Sequence, residues 1–230
     1  MRGNSRLLLS LCLGGLLLLG LADFPSPESD AARLEAGTPP GMVLVSAGEF
    51  WLGSNDPDAE DDVSPLKQVT LPAFYVDRTE VTNAQYRQVF PDHRFPAGQE
   101  QHPVTGVTRD EAEKYLKAVG KRLPTCAEWE KAARGTDGRR YPWGDELDPG
   151  RAHLGRPRQH ETCSFNQVKP VGSFPAGASP YGCLDMAGNA WEWVADDAPG
   201  GLQIIRGGAF GYPERQCRVY AWALEQPGVP

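Results

Sequence analysis

From Met42 onward apolar and polar positions begin to alternate. The run MVLVSAGEFWLGS places Val43, Val45, Phe50 and Leu52 on one side of the pattern, which predicts two short strands around a glycine turn with those four residues facing inward. Gln68–Leu71 and Phe74–Asp77 predict a strand broken at Pro72. Three helices then announce themselves by their first turns. Thr82, Thr108 and Thr125 each precede Gln85, Glu111 or Glu128 by three residues, the capping-box spacing in which hydroxyl and longer side chain satisfy each other's backbone N–H. The second helix carries Ala112, Tyr115, Leu116 and Val119 on one face and stops at Gly120; the third buries Trp129, Ala132 and Ala133 and stops at Gly135. Periodicity then fades. Residues 136–190 are rich in Gly, Pro, Asp and Asn with isolated aromatics, and a stretch that long without elements needs ties such as metal ions or disulfides. Trp191, Trp193, Ile204 and Ile205 resume apolar strand signals, which end with Cys217 to Ala223, and no internal repeat is visible.

The start of the chain follows a different rule. Arg2 and Arg6 precede a mostly apolar run from Leu7 to Leu21, and Gly20-Leu21-Ala22 offers small residues at a cleavage site. The apolar run falls short of the roughly 20 residues a bilayer core requires. Residues 1–22 therefore read as a secretory signal peptide cleaved after Ala22, with an uncleaved anchor as the alternative, and residues 23–40 as a flexible polar spacer before a domain over 41–230. A secreted or periplasmic location follows, with no membrane association beyond that leading segment.

Composition narrows the picture further. Of 230 residues, 26 are Gly and 21 Pro, which favours a loop-rich fold over a helical bundle. The formal charge of −7 argues against a nucleic-acid binder working through a basic surface. The acidic run Asp56–Asp62 lacks the Gly and Glu of a helix–loop–helix calcium motif and reads as a solvated loop. After export Cys126, Cys163, Cys183 and Cys217 remain in an oxidising compartment, where one or two structural disulfides are expected and three pairings are open. His93, His102, His153 and His160 have no metal-ligand spacing and read as surface or loop residues. Tyr141, Trp143, Trp191 and Trp193 read as core, with a groove lining as the other option.

Six segments in order carry a resemblance: EVTNAQY (Glu80 to Tyr86), GKRLPTCAEWEKAARG (Gly120 to Gly135), YPWGDE (Tyr141 to Glu146), PVGSFP (Pro170 to Pro175), YGCLDMAGNAWEW (Tyr181 to Trp193) and RGGAF (Arg206 to Phe210). Together they resemble the formylglycine-generating enzyme, or sulfatase-modifying factor, family over about Met42 to Cys217. The resemblance implies a single α+β domain of C-type-lectin-like fold, low in regular secondary structure, with bound calcium. It also implies oxidation of a sulfatase Cys to formylglycine by O₂ and Cu(I) held between two thiolates, the soft ligands that ion prefers. Those thiolates lie four residues after the second Gly of a GGS motif and five residues further on. Set by Gly207-Gly208, the second position is Cys217, but the first is Tyr212 and the serine is Ala209. A phenol does not replace a thiolate on Cu(I), so the copper site is incomplete and formylglycine synthesis is expected to be absent.

The calcium ligands carry over better. The family uses backbone carbonyls that fall on Asp185, Gly188 and Ala190, with the Glu192 side chain. A second family calcium site uses carbonyls near Ala152, His153 and Leu154 and an acid that falls on Cys163, with Phe165 retained, so this site loses its carboxylate. The family's disulfide cysteines are replaced by Leu116, Ala133 and Trp222, with the fourth position beyond Pro230, which leaves Cys126–Cys183 or Cys163–Cys217 as bridges to test. Family members also continue with a strand bearing a GFR-type motif, so the domain reads as C-terminally short. The expectation is an exported, calcium-stabilised pseudoenzyme acting as a binding or accessory module for a protein or peptide partner. A divergent oxidase acting on a Cys of a sulfatase or related protein is the alternative, and a carbohydrate-binding lectin rests on fold alone.

Overall fold

The computed structural model describes residues 37–59, 63, 65–155 and 167–229. The signal segment, His160, Cys163, Phe165 and the middle of the acidic run lie outside them. Strands β1 (Met42–Val45) and β2 (Gly48–Leu52) form around the predicted glycine turn, but they do not pair with each other. β1 pairs antiparallel with β4 (Phe74–Asp77), and β2 with β3 (Lys67–Leu71), so the break at Pro72 hands the chain from one two-stranded sheet to another. Val43, Val45 and Phe50 are buried, and Leu52 is half-buried.

All three capping boxes form. Helices α1 (Asn83–Val89), α2 (Arg109–Ala118) and α3 (Cys126–Arg134) each begin with a Thr hydroxyl accepting from the backbone N–H three residues on and the reciprocal side-chain bond to the Thr N–H. Thr125→Ala is expected to cost about 1 kcal/mol in a urea titration, the usual worth of such a cap. The apolar face of α2 does not enter the main core: Tyr115 is buried, Val119 is exposed, and Ala112 and Leu116 line a cleft described below. Helix α3 occupies the centre instead. Trp129, Ala132 and Ala133 pack with Val43, Val45, Cys183, Val194 and Val219.

The same helix buries its charges. Lys131 Nζ donates to the carbonyls of Ser46 (2.7 Å) and Gly48 (2.8 Å), tying the β1–β2 turn to the helix. Arg134 Nη1 donates to Gly53 O at 2.7 Å and to Glu130 Oε1 at 2.7 Å, while Arg206 Nη2 reaches Glu130 Oε2 at 2.6 Å. Residues 136–190 contain no strand among the described residues, only a short 3-10 turn at Pro175–Gly177. The third sheet orders β5 (Glu192–Asp197), β6 (Gln203–Arg206) and β7 (Trp222–Glu225), with β6 central and a register shift in β5 between Trp193 and Asp197. Cys217 ends a 3-10 turn, Glu214–Cys217, rather than opening a strand.

Two expectations need correction. Cys126 and Cys183 are both free thiols, so the bridge between them is not formed; each packs on the main core around α3. Hydrogen bonds and ion pairs tie the described loops. Asp56, expected in a solvated loop, has only 5 % of its side chain exposed; it accepts from the Tyr220 hydroxyl at 2.8 Å and pairs with Arg140 Nε at 2.9 Å. These partners hold its carboxyl below the usual range despite the opposing effect of burial.

Candidate functional site

A cleft of about 700 Å³ opens between β4, α2, the Trp191–Trp193 segment and the loop that follows β6. Its walls are mostly apolar, including Val76, Leu116, Trp191, Trp193 and Phe210. Trp191 and Trp193 therefore line a groove and are not core residues as expected, whereas Tyr141 is buried and stacks on Trp143 at 5.3 Å between centroids. A pocket of this size and character is the usual shape of a binding site.

The loop after β6 decides what chemistry this cleft can support. Ala209, Phe210 and Tyr212 line it, and the Tyr212 ring meets Trp191 edge-on at 5.4 Å with 39 % of the residue exposed. Cys217 lies on the other side of the glycine pair, in a small cluster with Ala152 and Ala187. Gly208 permits this packing: it adopts φ +73°, and a Cβ there would sit 2.5 Å from the Cys217 sulfur. Burial, followed by the Glu214 charge, pushes the Cys217 thiol up to about 12, so without a metal ion it stays protonated at neutral pH. Cys126 and Cys183, raised to about 11 and about 12 chiefly by burial, belong to the other core cluster. Among the described residues no group of three or more His, Cys, Asp and Glu side chains is arranged to hold a metal ion. Among the described residues, then, no pair of thiols fits a two-thiolate copper centre.

The Asp185–Glu192 loop has a different character. Asp185, Gly188 and Asn189 all adopt positive φ (60°, 84° and 64°), so the backbone reverses repeatedly over five residues. Gly188 has no alternative, because a Cβ would lie 2.5 Å from the His153 carbonyl. Among the described residues the carbonyls of Asp185, Gly188 and Ala190 accept no backbone hydrogen bond. Glu192 Oε2 accepts from Trp129 Nε1 at 2.8 Å, and burial raises its carboxyl to about 7, with the Asp185 charge adding to the effect. Carbonyl and carboxylate oxygens are the hard donors that calcium takes, so the donor types of this loop suit that ion. At the second family position the Ala152 and His153 carbonyls already accept from Leu154 N (3.0 Å) and Asn189 N (3.1 Å).

Two functional residues escaped the sequence reading. Asn189 joins four segments: its Nδ2 donates to Glu80 Oε1 (2.9 Å), its Oδ1 accepts from Lys169 N, its N–H donates to His153 O, and its carbonyl accepts from Phe210 N. Glu80, at the head of the EVTNAQY segment, lines the cleft, and burial, followed by the Asp185 and Glu192 charges, lifts its carboxyl well above the usual range. Their presence inside two of the six matched segments was the one available signal. Of the histidines, His93 pairs with Asn83 Oδ1 and His153 stacks on Phe210 at 4.3 Å; neither faces a metal-ligand set among the described residues.

A family model described as the sulfatase-modifying factor enzyme 1-like domain matches residues 27–230. The formylglycine-generating enzyme of Thermomonospora curvata is 30 % identical, with 90 % of this chain and 93 % of that protein covered. The inactive C-alpha-formylglycine-generating enzyme 2 of Bos taurus is also 30 % identical, covering 77 % of this chain and 79 % of its own. Among solved structures, PvdO from Pseudomonas aeruginosa matches with a TM-score of 0.66 and 27 % identity, over 82 % of this chain and 89 % of that one.

Proposed function

The chain belongs to the sulfatase-modifying factor enzyme 1-like family, and from that premise we propose that it is an exported, non-catalytic binding module whose apolar cleft holds a segment of a protein partner. The observation that carries this reading is the placement of the loop after β6. It turns Tyr212 and Ala209 toward the cleft and packs Cys217 behind it, protonated, among Ala152 and Ala187. Among the described residues no second sulfur lies in the Cys217 cluster, and a single buried thiol does not retain Cu(I) against solvent ligands. The aromatic wall remains available for binding, since aromatic side chains supply large contact area at low entropic cost. The Asp185, Gly188 and Ala190 carbonyls and the Glu192 side chain would hold a calcium ion, which would tie the loop supporting this wall and offset the buried negative charge of Glu192.

Incubating the purified chain with Cu(I), O₂ and a sulfatase-type Cys peptide is expected to yield no aldehyde above a control without protein. Turnover that disappears in Cys217→Ala would establish the alternative, a divergent oxidase of a sulfatase or related protein. Two observations favour that alternative: Cys217 is a free thiol, and several similar proteins are named formylglycine-generating enzymes. Its thiol, however, would have to be uncovered and would release its proton as the metal bound.

A further inference from the structure

Helix α2 differs from α3 in what holds it. In α3 every residue from Glu128 to Arg134 is buried, whereas in α2 Tyr115 alone is. No residue of α2 belongs to the main core cluster around Trp129. Ala112, Tyr115 and Leu116 line the cleft instead, so the helix is a wall much of whose inner face meets open volume. Its fastenings are local. Arg109 Nε pairs with Glu113 at 3.1 Å, its Nη1 pairs with Asp197, and its Nη2 donates to the Ala195 carbonyl at 2.9 Å, which moors the first turn to β5. The Glu113 and Asp197 side chains are 50 % and 60 % exposed, so salt screens both pairs. Trp193 Nε1 donates to the Val107 carbonyl at 3.0 Å, and Tyr115 stacks on Tyr86 of α1 at 5.3 Å. Glycines bracket the segment. Gly106 and Gly120 are exposed at φ +68° and +72°, and a Cβ at either would meet nothing within 4 Å, so each has room to change its backbone angles. Outside the bracket the chain is fixed again, by Val104 N–H donating to Val81 O at 2.8 Å and by Lys121 pairing with Asp77 at 2.6 Å.

We propose that residues 107–119 form a strap over the cleft, which releases between Gly106 and Gly120 while the core around α3 stays folded, and that this release opens the cleft. Elements with few buried apolar contacts open at a smaller free energy than core elements, and α2 is such an element. A helix of 10 residues is not stable in water by itself, so once Arg109 and Tyr115 let go the released strap loses its internal hydrogen bonds. Opening therefore exposes the strap's amides to solvent as well as the cleft behind it. The motion is a property of the free chain. It does not depend on what the cleft holds, and so stands or falls apart from the peptide-binding reading.

Amide hydrogen exchange of the full native chain, read by mass spectrometry on peptic fragments, tests this. Relative to their unstructured rates, fragments over 107–119 should exchange about a hundredfold or more faster than fragments of α3. Added salt should widen that gap. Arg109→Ala should speed exchange of the strap by roughly tenfold, the loss of one charge-assisted contact, and leave α3 unchanged. The same variant should take up the fluorescent apolar probe anilinonaphthalene sulfonate faster than the native chain does. Exchange of the strap at the α3 rate overturns the proposal, and so does equal acceleration of both segments in Arg109→Ala. Equal probe uptake by the two chains, or none by either, overturns the opening of the cleft. The comparison of strap with α3 is made on native protein, so an Arg109→Ala chain that fails to fold does not weaken the test.

Discussion

Replacing Glu130 by alanine is expected to cost about 3–5 kcal/mol of stability, the range for removing one partner of a buried ion pair. Glu130 is buried with both oxygens committed, one to Arg134 and the Gly53 N–H and the other to Arg206. Arg134 and Arg206 have side chains only 2 % and 3 % exposed, so neither guanidinium can turn to water when the carboxylate goes. Two buried guanidiniums would then lose their shared counter-charge and keep only backbone carbonyls as acceptors. The arrangement also joins distant parts of the chain, since α3 reaches β2 through Gly53 and β6 through Arg206. A urea titration of Glu130→Ala should therefore show a large fall in midpoint. Glu130→Gln should fall less, because the amide keeps one acceptor oxygen but loses the charge. A loss below about 1 kcal/mol for Glu130→Ala would show that the pair behaves as an exposed one does.

The stability of the chain should fall with rising pH in the absence of calcium and change little in its presence. In the chelated protein Glu192 has its carboxyl raised from the ordinary value to about 7. A raised carboxyl favours folding while it is protonated, so its contribution is fully present below about pH 4.5 and is lost as pH rises through 7. The largest loss is on the order of 3 kcal/mol, from the conversion of a pKa difference into free energy. Calcium binds the ionised form, so its stabilisation grows over the same interval, to about 2.7 kcal/mol at a hundredfold excess over its dissociation constant. Thermal melts in chelator and in excess calcium should diverge at pH 8 and converge at pH 5. Glu192→Gln should remove most of the divergence. Coincident melts at pH 8 would remove calcium from the account.

What the sequence revealed follows from the range of the interactions involved. The three helix starts were legible because a capping box is written in residues three apart, as in Thr125 and Glu128. The strands from Met42 to Asp77 were legible because one buried face leaves a two-residue period. The charges on α3 were not, because Glu130, Lys131 and Arg134 have the appearance of a solvated helix face. Their partners become visible only in space, Arg206 lying 76 positions from Glu130. Asp56 misled for the same reason, since Tyr220 is 164 positions away. The apolar face of α2 was recognised correctly, but its destination was the cleft wall and not the core. At the candidate site the Tyr212 and Cys217 positions could be set from the Gly207–Gly208 register. The burial of Cys217 behind that turn, and the assembly of Glu80, Asn189 and Glu192 from distant segments, required the fold.

The claim on which the rest depends is that the sulfur of Cys217 is not a metal ligand. A Cu(I) titration of the reduced full chain under anaerobic conditions, in competition with a chromogenic chelator, measures this directly. The native protein and Cys217→Ala are expected to give superimposable curves with no stoichiometric tight site. A one-to-one Cu(I) site in the native chain that vanishes in Cys217→Ala would contradict the account and restore the oxidase.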